Sequence, residues 1–570
     1  STAPDSAGPG GWRLTPSGTA ACPSRMTRPD TTRARTDDGD RHRRRRGTTW
    51  ADELGESTSP SPWSRRSLSL AVPGAAVTWA DFDRRADGVA RALLDAGLGH
   101  QAKVAQYLYN CPEYLESFFA CCKAALVPVN TNYRYTGAEL AYLWTNADVE
   151  AVVFHDTFVD RCDELRRQLR GIRLWLWVND RNGRCPDWAT PYAEVADRHV
   201  DRVDPARSGD DLILLYTGGT TGQPKGVMWP QDTLFRMLEE LNGRDVAARA
   251  LDRPGPRVLP APPLMHGTAL FFALPVLGQG GCVVTTADHR FDAESLLDVV
   301  VAEGIKGLCI VGDAFAKPIV EVLDRNPERW DLSGVRVVFS SGVVLSPSVK
   351  ERLLTHLPRA TIVDSLGSSE TGSVARSMST AQGTTGSFQV GRRTRVIDDA
   401  GEDVAAGSGA IGRVVLAGHQ PLGYYKDPVK TAETFVELNG TNHVITGDWA
   451  EVNADGTLRF LGRGSVSINT GGEKVYPEEV EEAIKLVPGV VDAVVVGIPD
   501  VRLGEVVAAV VEPAAGKMLD VDELRAALRE SLAGFKIPRL VVQQPVGRAV
   551  NGKADYRTLL EAAMAAARCP

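Results

Sequence analysis

Tyr216-Thr217-Gly218-Gly219-Thr220-Thr221-Gly222-Gln223-Pro224-Lys225-Gly226 is the most informative stretch of this 570-residue chain. It follows an apolar run at residues 212–215, the pattern of a buried strand. Glycines let backbone N–H groups approach an anion closely, the threonines add hydroxyl donors, and Lys225 adds a cation. A polyphosphate cradle needs those parts. The stretch is not a Walker A loop, because Gly226 stands where Ser or Thr would meet magnesium. It is not a dinucleotide fingerprint, because the G-x-G-x-x-G spacing is absent. The plainer alternative is a flexible Gly/Thr surface loop.

Around this loop short apolar strands alternate with helices, the signature of layered α/β structure. Thr78 reads as a helix cap with Asp81 three residues on, and Trp79, Phe82, Val89, Leu93 and Leu94 share a face up to Gly97. Strands are expected at 104–109, 127–129, 150–154, 212–216, 257–261, 283–286, 307–311, 335–340 and 361–364, and helices at 114–125 and 140–145. From about Ile411 glycine-rich turns separate strands at 414–416, 444–446 and 458–461, a β-rich stretch. Beyond Arg463, helices at 477–487 and 522–532 and strands at 490–498 and 505–512 read as a small α+β unit of about 100 residues.

Five further motifs carry polar chemistry. Pro263-Leu264-Met265-His266-Gly267 follows a strand. Asp364-Ser365-Leu366-Gly367-Ser368-Ser369-Glu370-Thr371-Gly372 lies where a strand leaves its sheet, a favoured ligand position in α/β folds. Thr446-Gly447-Asp448-Trp449 precedes Leu461-Gly462-Arg463-Gly464, and a second glycine pair stands in Gly471-Gly472-Glu473-Lys474. Asn551-Gly552-Lys553-Ala554-Asp555-Tyr556 comes last. In this order, from about Thr78 to about Leu560, the chain resembles the adenylate-forming enzymes, most of all the fatty-acyl-CoA synthetases of actinobacterial type.

The resemblance implies a large N-terminal adenylation domain of layered α/β subdomains with a β-rich subdomain (77–463). A small mobile α+β C-terminal domain would follow (464–570). It implies ATP, Mg2+ and CoA as substrates or cofactors. Thr217, Gly218, Gly219, Thr220, Thr221 and Gly222 with Lys225 would cradle the phosphates. Glu370 would hold Mg2+, and Ser369 would contact the α-phosphate. Asp364 with Gly367 would frame the adenine, and Asp448 and Arg463 would hold the ribose. His266, Gly342 and Val343 would line an acyl pocket bounded by residues 312–319 and 340–344. Ser465 stands at the hinge, where the family usually has Asp or Lys. Gly471, Gly472, Glu473 and Lys474 would line the CoA path. Lys553 would orient the carboxylate and ATP for the first half-reaction. Leu366 stands where many relatives carry an aromatic residue.

The function implied is ATP-dependent activation of a carboxylic acid to acyl-AMP, then to acyl-CoA. No basic residue stands in the turn at 340–344, where Gly342 and Val343 leave room for an apolar chain, which favours a hydrophobic acid of fatty or steroid-side-chain type. The rivals are an acyl-AMP ligase that loads a carrier protein, whose usual insertion is not evident near 463–476, and a catalytically silent protein of the same fold. A luciferase-type oxygenase is supported by fold alone.

Composition bounds the rest. Sixty-four Lys and Arg against 72 Asp and Glu give a formal net charge of -8, unlike a nucleic-acid coat. No apolar run reaches the ~18 residues of a transmembrane helix, which leaves a cytoplasmic enzyme, with peripheral membrane contact and a homodimer as open options. Nine scattered cysteines without a CxxC pair suggest reduced thiols. Residues 1–50 contain no Val, Ile, Phe, Tyr, Glu or Lys but ten Arg, so residues 1–76 are expected to be disordered or a misassigned start. A basic arm is a further reading, as is a twin-arginine signal at Arg65-Arg66 with a weak apolar core at Leu68, Leu70, Ala71 and Val72.

Overall fold

The computed structural model describes residues 68–72, 75–217, 224–242, 255–343, 345–463, 468–470, 473–500, 503–532, 534–548 and 554–568. The phosphate-loop residues Gly218, Gly219, Thr220, Thr221 and Gly222, the hinge Ser465, the pair Gly471 and Gly472, and Lys553 lie outside them.

Two large sheets organise the chain. One has seven strands in the order Thr190–Pro191, Leu174–Val178, Val149–His155, Lys103–Tyr107, Val127–Asn130, Leu212–Thr217, Lys225–Pro230. All its pairings are parallel except the last, where Thr217 faces Lys225 across an antiparallel hairpin. The second has nine strands, with a parallel centre running Leu68–Val72, Cys282–Val284, Arg257–Pro260, Gly307–Ile310, Val337–Ser341, Thr361–Ser368 and antiparallel edges. Parallel strands are covered on both faces. The helices Trp79–Asp95, Pro112–Lys123 and Gly267–Gly278 fill the space between the sheets, in one core that takes Val104 and Val153 from the first sheet and Leu70, Val258 and Val283 from the second. Separate clusters close the outer faces, one around Trp144 and Phe154 and one around Phe315 and Leu353.

A five-stranded antiparallel sheet follows, containing Ile411–Ala417, Thr441–Val452 and Leu458–Arg463. The last sheet, from Ile468–Thr470 to Leu540–Gln543, is covered by the helices Pro477–Lys485, Val521–Arg529 and Tyr556–Arg568. Its two apolar clusters are built only from residues beyond 467.

Most expected elements are present with small shifts at their ends. Thr78 caps its helix as read, its hydroxyl accepting from the Asp81 amide at 3.1 Å. Two expectations are corrected. Among the described residues, regular structure is present from Leu68, before Val77: Leu68–Val72 pairs in parallel with Cys282–Val284, and Leu70 is buried. The run read as a weak signal core is therefore a sheet strand. The strand expected at 361–364 runs on to Ser368 and folds back into Gly372–Ser379, so the acidic motif is a β-hairpin rather than a loop.

Candidate active site

The strands that flank the glycine-threonine stretch, Leu212–Thr217 and Lys225–Pro230, pair as an antiparallel hairpin. Its base is fixed by Asn130, the last residue of the neighbouring parallel strand. Buried Asn130 accepts from the Tyr216 amide at 2.5 Å, and its Nδ2 donates to the carbonyls of Tyr216 (2.8 Å) and Met265 (2.7 Å). One side chain thus ties the phosphate hairpin to the Pro263–Gly267 motif of the other sheet. Asn110 makes a matching clasp, donating to the carbonyls of Pro260 and Pro262 and accepting from the Leu264 amide. Neither asparagine was among the sequence candidates. Each ends a β-type run, and only the meeting of two sheets gives it partners.

The Pro263–Gly267 segment delivers the start of the apolar helix Gly267–Gly278, with His266 as its N-cap residue. A Cβ on Gly267 would lie 3.4 Å from both Leu215 Cδ2 and Ser369 Oγ. The phosphate strand, this helix start and the acidic hairpin therefore converge on one spot. Gly342, at φ +90, has Thr268 Oγ1 and Val311 beside it, so His266 and Gly342 of the expected acyl-pocket residues lie at the start of the same helix, whereas Val343 packs against the cluster around Phe315. Thr268 joins them without having been a sequence candidate.

At the acidic hairpin, Ser369, Glu370 and Thr371 form the turn. The Ser369 carbonyl accepts from Trp229 Nε1 at 2.9 Å. Glu370 Oε1 accepts from the Tyr424 hydroxyl at 2.7 Å. Gly367 has a steric reason to be glycine: a Cβ there would sit 1.8 Å from the Gly372 carbonyl across the hairpin. Asp364 is buried with its carboxylate 3.0 Å from the equally buried Lys350 ammonium. Burial pushes its carboxyl above the usual range, and Lys350 opposes that rise. The carboxylate is therefore committed to Lys350, and any framing of adenine falls to its main chain. Leu366 packs against the cluster of Val374, Val396 and Leu416.

Lys225 Nζ lies 3.1 Å from Asp427 Oδ2 and 5.8 Å from the Tyr424 ring centroid. Asp448 is buried and paired directly across its hairpin with Arg463, so the two expected ribose contacts are cross-strand neighbours. Glu473 and Lys474 lie in the Glu473–Val475 strand, paired with Ile468–Thr470. All seven described cysteines (Cys111, Cys121, Cys122, Cys162, Cys185, Cys282 and Cys309) have thiols pushed up by burial, the opposite of an activated nucleophile.

Among the described residues no cluster of three or more His, Cys, Asp or Glu could hold a metal ion. A lone hard carboxylate such as Glu370 suits Mg2+, which usually arrives on substrate phosphates and takes one or two protein oxygens. The donor set fits that role, and Glu370 is the residue that would hold it.

Two layered sheets and a hairpin that presents Thr217 and Lys225 beside an acidic turn define a nucleotide-using α/β enzyme. The AMP-binding enzyme family model matches residues 62–425, and the AMP-binding enzyme C-terminal domain matches residues 479–552. The chain belongs to the AMP-binding enzyme family. It is 39% identical over 502 residues, 84% of this chain and 91% of the other, to the medium/long-chain-fatty-acid–CoA/3-oxocholest-4-en-26-oate–CoA ligase of Mycobacterium marinum. It is 38% identical over 513 residues, 86% and 92% of the two chains, to the 3-oxocholest-4-en-26-oate–CoA ligase of Rhodococcus rhodochrous. Among solved structures, ATP-bound MatB from Rhodopseudomonas palustris superposes with a TM-score of 0.77 at 26% identity, covering 90% of this chain and 98% of that one. The anthranilate CoA ligase AuaEII shares the fold at a TM-score of 0.79 and 21% identity, covering 91% and 98%. Enzymes of this family that make acyl-CoA use ATP, Mg2+ and CoA.

Proposed function

We propose that the protein is an ATP-dependent acid–CoA ligase acting on a hydrophobic carboxylic acid, of medium- to long-chain fatty or steroid-side-chain type. The observation that carries this reading is the convergence of Lys225, the Gly267 helix start and the Ser369-Glu370 turn, in a chain that matches ligases of such acids over nearly their whole length.

A carboxylate resists attack because its charge and resonance oppose a nucleophile. In the first step its oxygen attacks the α-phosphorus of ATP in line, and pyrophosphate leaves. This chemistry needs position and charge neutralisation more than covalent help. Lys225 and the loop Thr217, Gly218, Gly219, Thr220, Thr221 and Gly222 bind the phosphates, Ser369 meets the α-phosphate, and Lys553 aligns the acid with ATP. Glu370 would hold Mg2+, which would supply neutralisation of phosphate charge. The Asp364–Gly367 main chain frames the base, and Asp448 and Arg463 hold the ribose. In the second step the CoA thiol attacks the acyl carbon and AMP leaves, with Gly471, Gly472, Glu473 and Lys474 along the thiol's path and Ser465 as the hinge.

In this reading the large domain begins by Leu68 and ends at 463, and residues 464–570 form the moving one. A cytoplasmic location and a homodimer complete it. Among the described residues no helix is long and apolar enough to cross a membrane, and sedimentation of the purified protein tests the dimer.

The experiment is incubation with Mg·ATP and a panel of fatty, aromatic and steroid acids, with and without CoA, with products read by mass. Acyl-CoA from hydrophobic acids is the expected product. Acyl-AMP that accumulates regardless of CoA would favour the carrier-protein ligase instead. Lys553→Ala should lose adenylation by at least about a hundredfold while still making thioester from supplied acyl-AMP, since a positioning charge acts only in the step it positions. Equal losses in both steps would refute the assignment.

A further inference from the structure

Beyond the motifs read from the sequence, the segment Gly423-Tyr424-Tyr425-Lys426-Asp427 is built into the candidate site. It runs beside the Lys225–Pro230 strand as an added edge. The Met228 amide donates to the Gly423 carbonyl (2.9 Å), the Tyr425 amide donates to the Gly226 carbonyl (2.8 Å), and Val227 pairs with Tyr424 in an isolated bridge. Tyr424 is buried. Its amide donates to Thr431 Oγ1 at 2.9 Å, and its ring packs edge-on against Phe435. Backbone and ring are thus held before any ligand arrives. The hydroxyl of this fixed ring donates to Glu370 Oε1 at 2.7 Å, and Lys225 Nζ lies 5.8 Å from the ring centroid.

We infer that Tyr424 is a positioning residue for the nucleotide step: its hydroxyl presets the Glu370 carboxylate, and its ring flanks Lys225. The inference rests on the reading of Glu370 as the carboxylate that meets Mg2+ on ATP. Glu370 stands in a hairpin turn, where a long flexible side chain would otherwise lose its rotamer freedom at the moment of binding. A hydroxyl-to-carboxylate bond is charge-assisted, and from a buried, hydrogen-bonded tyrosine it orders the side chain in advance while engaging one of its two oxygens. The ring offers its negative face to Lys225, keeping that ammonium beside the carboxylate side of the site. Tyr424 therefore joins the candidate metal carboxylate and the candidate phosphate cation through one rigid group.

The test is Tyr424→Phe, which keeps the ring and removes the hydroxyl, alongside Glu370→Gln. Calorimetry measures ATP binding to the purified protein with Mg2+ and in EDTA. Tyr424→Phe should lose about tenfold of the Mg2+-dependent gain in ATP affinity, the size of one hydrogen bond to a charged group, and leave metal-free binding within about twofold. ATP–pyrophosphate exchange should fall in parallel, with thioester formation from supplied acyl-AMP unchanged. If Glu370→Gln abolishes the Mg2+ effect and Tyr424→Phe binds like the unaltered protein, the positioning role is overturned. A loss that is equal with and without Mg2+ also overturns it, because it marks a purely structural role. If neither variant alters the Mg2+ dependence, the Glu370 assignment itself has failed and the role of Tyr424 falls with it.

Discussion

At the scale of single residues, two asparagines hold the candidate site together. Asn130 uses its amide oxygen and nitrogen to satisfy the main chain of Tyr216 and the carbonyl of Met265, all in the interior. Truncation to alanine leaves those backbone groups buried without this partner. Asn130→Ala should therefore cost about 2–4 kcal/mol of stability. It should also raise the ATP concentration needed for half-maximal exchange, because the phosphate hairpin loses its anchor. Thermal melting and ATP–pyrophosphate exchange measure the two effects, and an unchanged melting temperature would show that other contacts carry the hairpin. Nothing local in the sequence marks Asn130 or Asn110. Each stands at the end of an apolar run and reads as an ordinary turn residue. By contrast, Lys225, Glu370 and Asp448 could be singled out as candidates because they stand in strings that resemble a known family, and that likeness is read without a fold.

At the scale of elements, patterns repeated every two or 3.6 residues placed most strands and helices, and their ends moved where pairing went further. The Thr361–Ser368 strand shows why. Its last residues are Ser, Leu, Gly and Ser, which read as a loop until Gly372–Ser379 supplies an antiparallel partner. The helix Gly267–Gly278 was missed for the opposite reason. It is apolar nearly throughout, so buried position rather than amphipathic period defines it. The helix Pro477–Lys485 carries a pH effect of its own. Glu481 is buried, accepts from the Val495 amide at 2.9 Å, and has its carboxyl pushed up from 4.5 to about 7 by that burial, with Lys485 acting against it. The folded chain thus holds this proton more tightly than the unfolded chain. This group's contribution to stability falls as pH rises from about 4.5 to about 7 and is constant above that. Glu481→Gln should remove the slope and be the more stable protein at pH 8, by on the order of 2–3 kcal/mol. Denaturant titrations at pH 4.5 and pH 8 test it, and a gap between the proteins that does not widen with pH would count against the buried carboxylate.

At the scale of the whole molecule, the apolar clusters of the described residues part between Leu458 and Ile468. One cluster before that point joins both large sheets, and the two clusters beyond residue 467 share no member with those before it. Contacts across the division include a tilted Trp449–Tyr476 ring pair at 6.1 Å, an Arg459–Glu479 ion pair at 3.5 Å, and a hydrogen bond from Lys317 Nζ to the Val491 carbonyl at 2.8 Å. Half-exposed ion pairs are worth at most about 1 kcal/mol. Calorimetry should accordingly show more than one unfolding transition, whereas a single transition with equal calorimetric and van't Hoff enthalpies would mean that the two parts melt as one. Weak contacts of this kind suit the reorientation between half-reactions that the proposed function calls for.

The sequence by itself determined the α/β class and the order of the motifs that carry the family likeness, because periodicity and motif order are properties of the chain alone. Tertiary structure alone decided that Leu68–Val72 is a sheet strand, since that apolar run is explained only by Cys282–Val284 beside it. It also decided that Asp364 is paired with Lys350, that Asn130 joins Tyr216 to Met265 in two separate motifs, and that Tyr424 reaches Glu370. Each of these is a contact between distant parts of the chain, and what a side chain does there is set by the partner the fold brings to it.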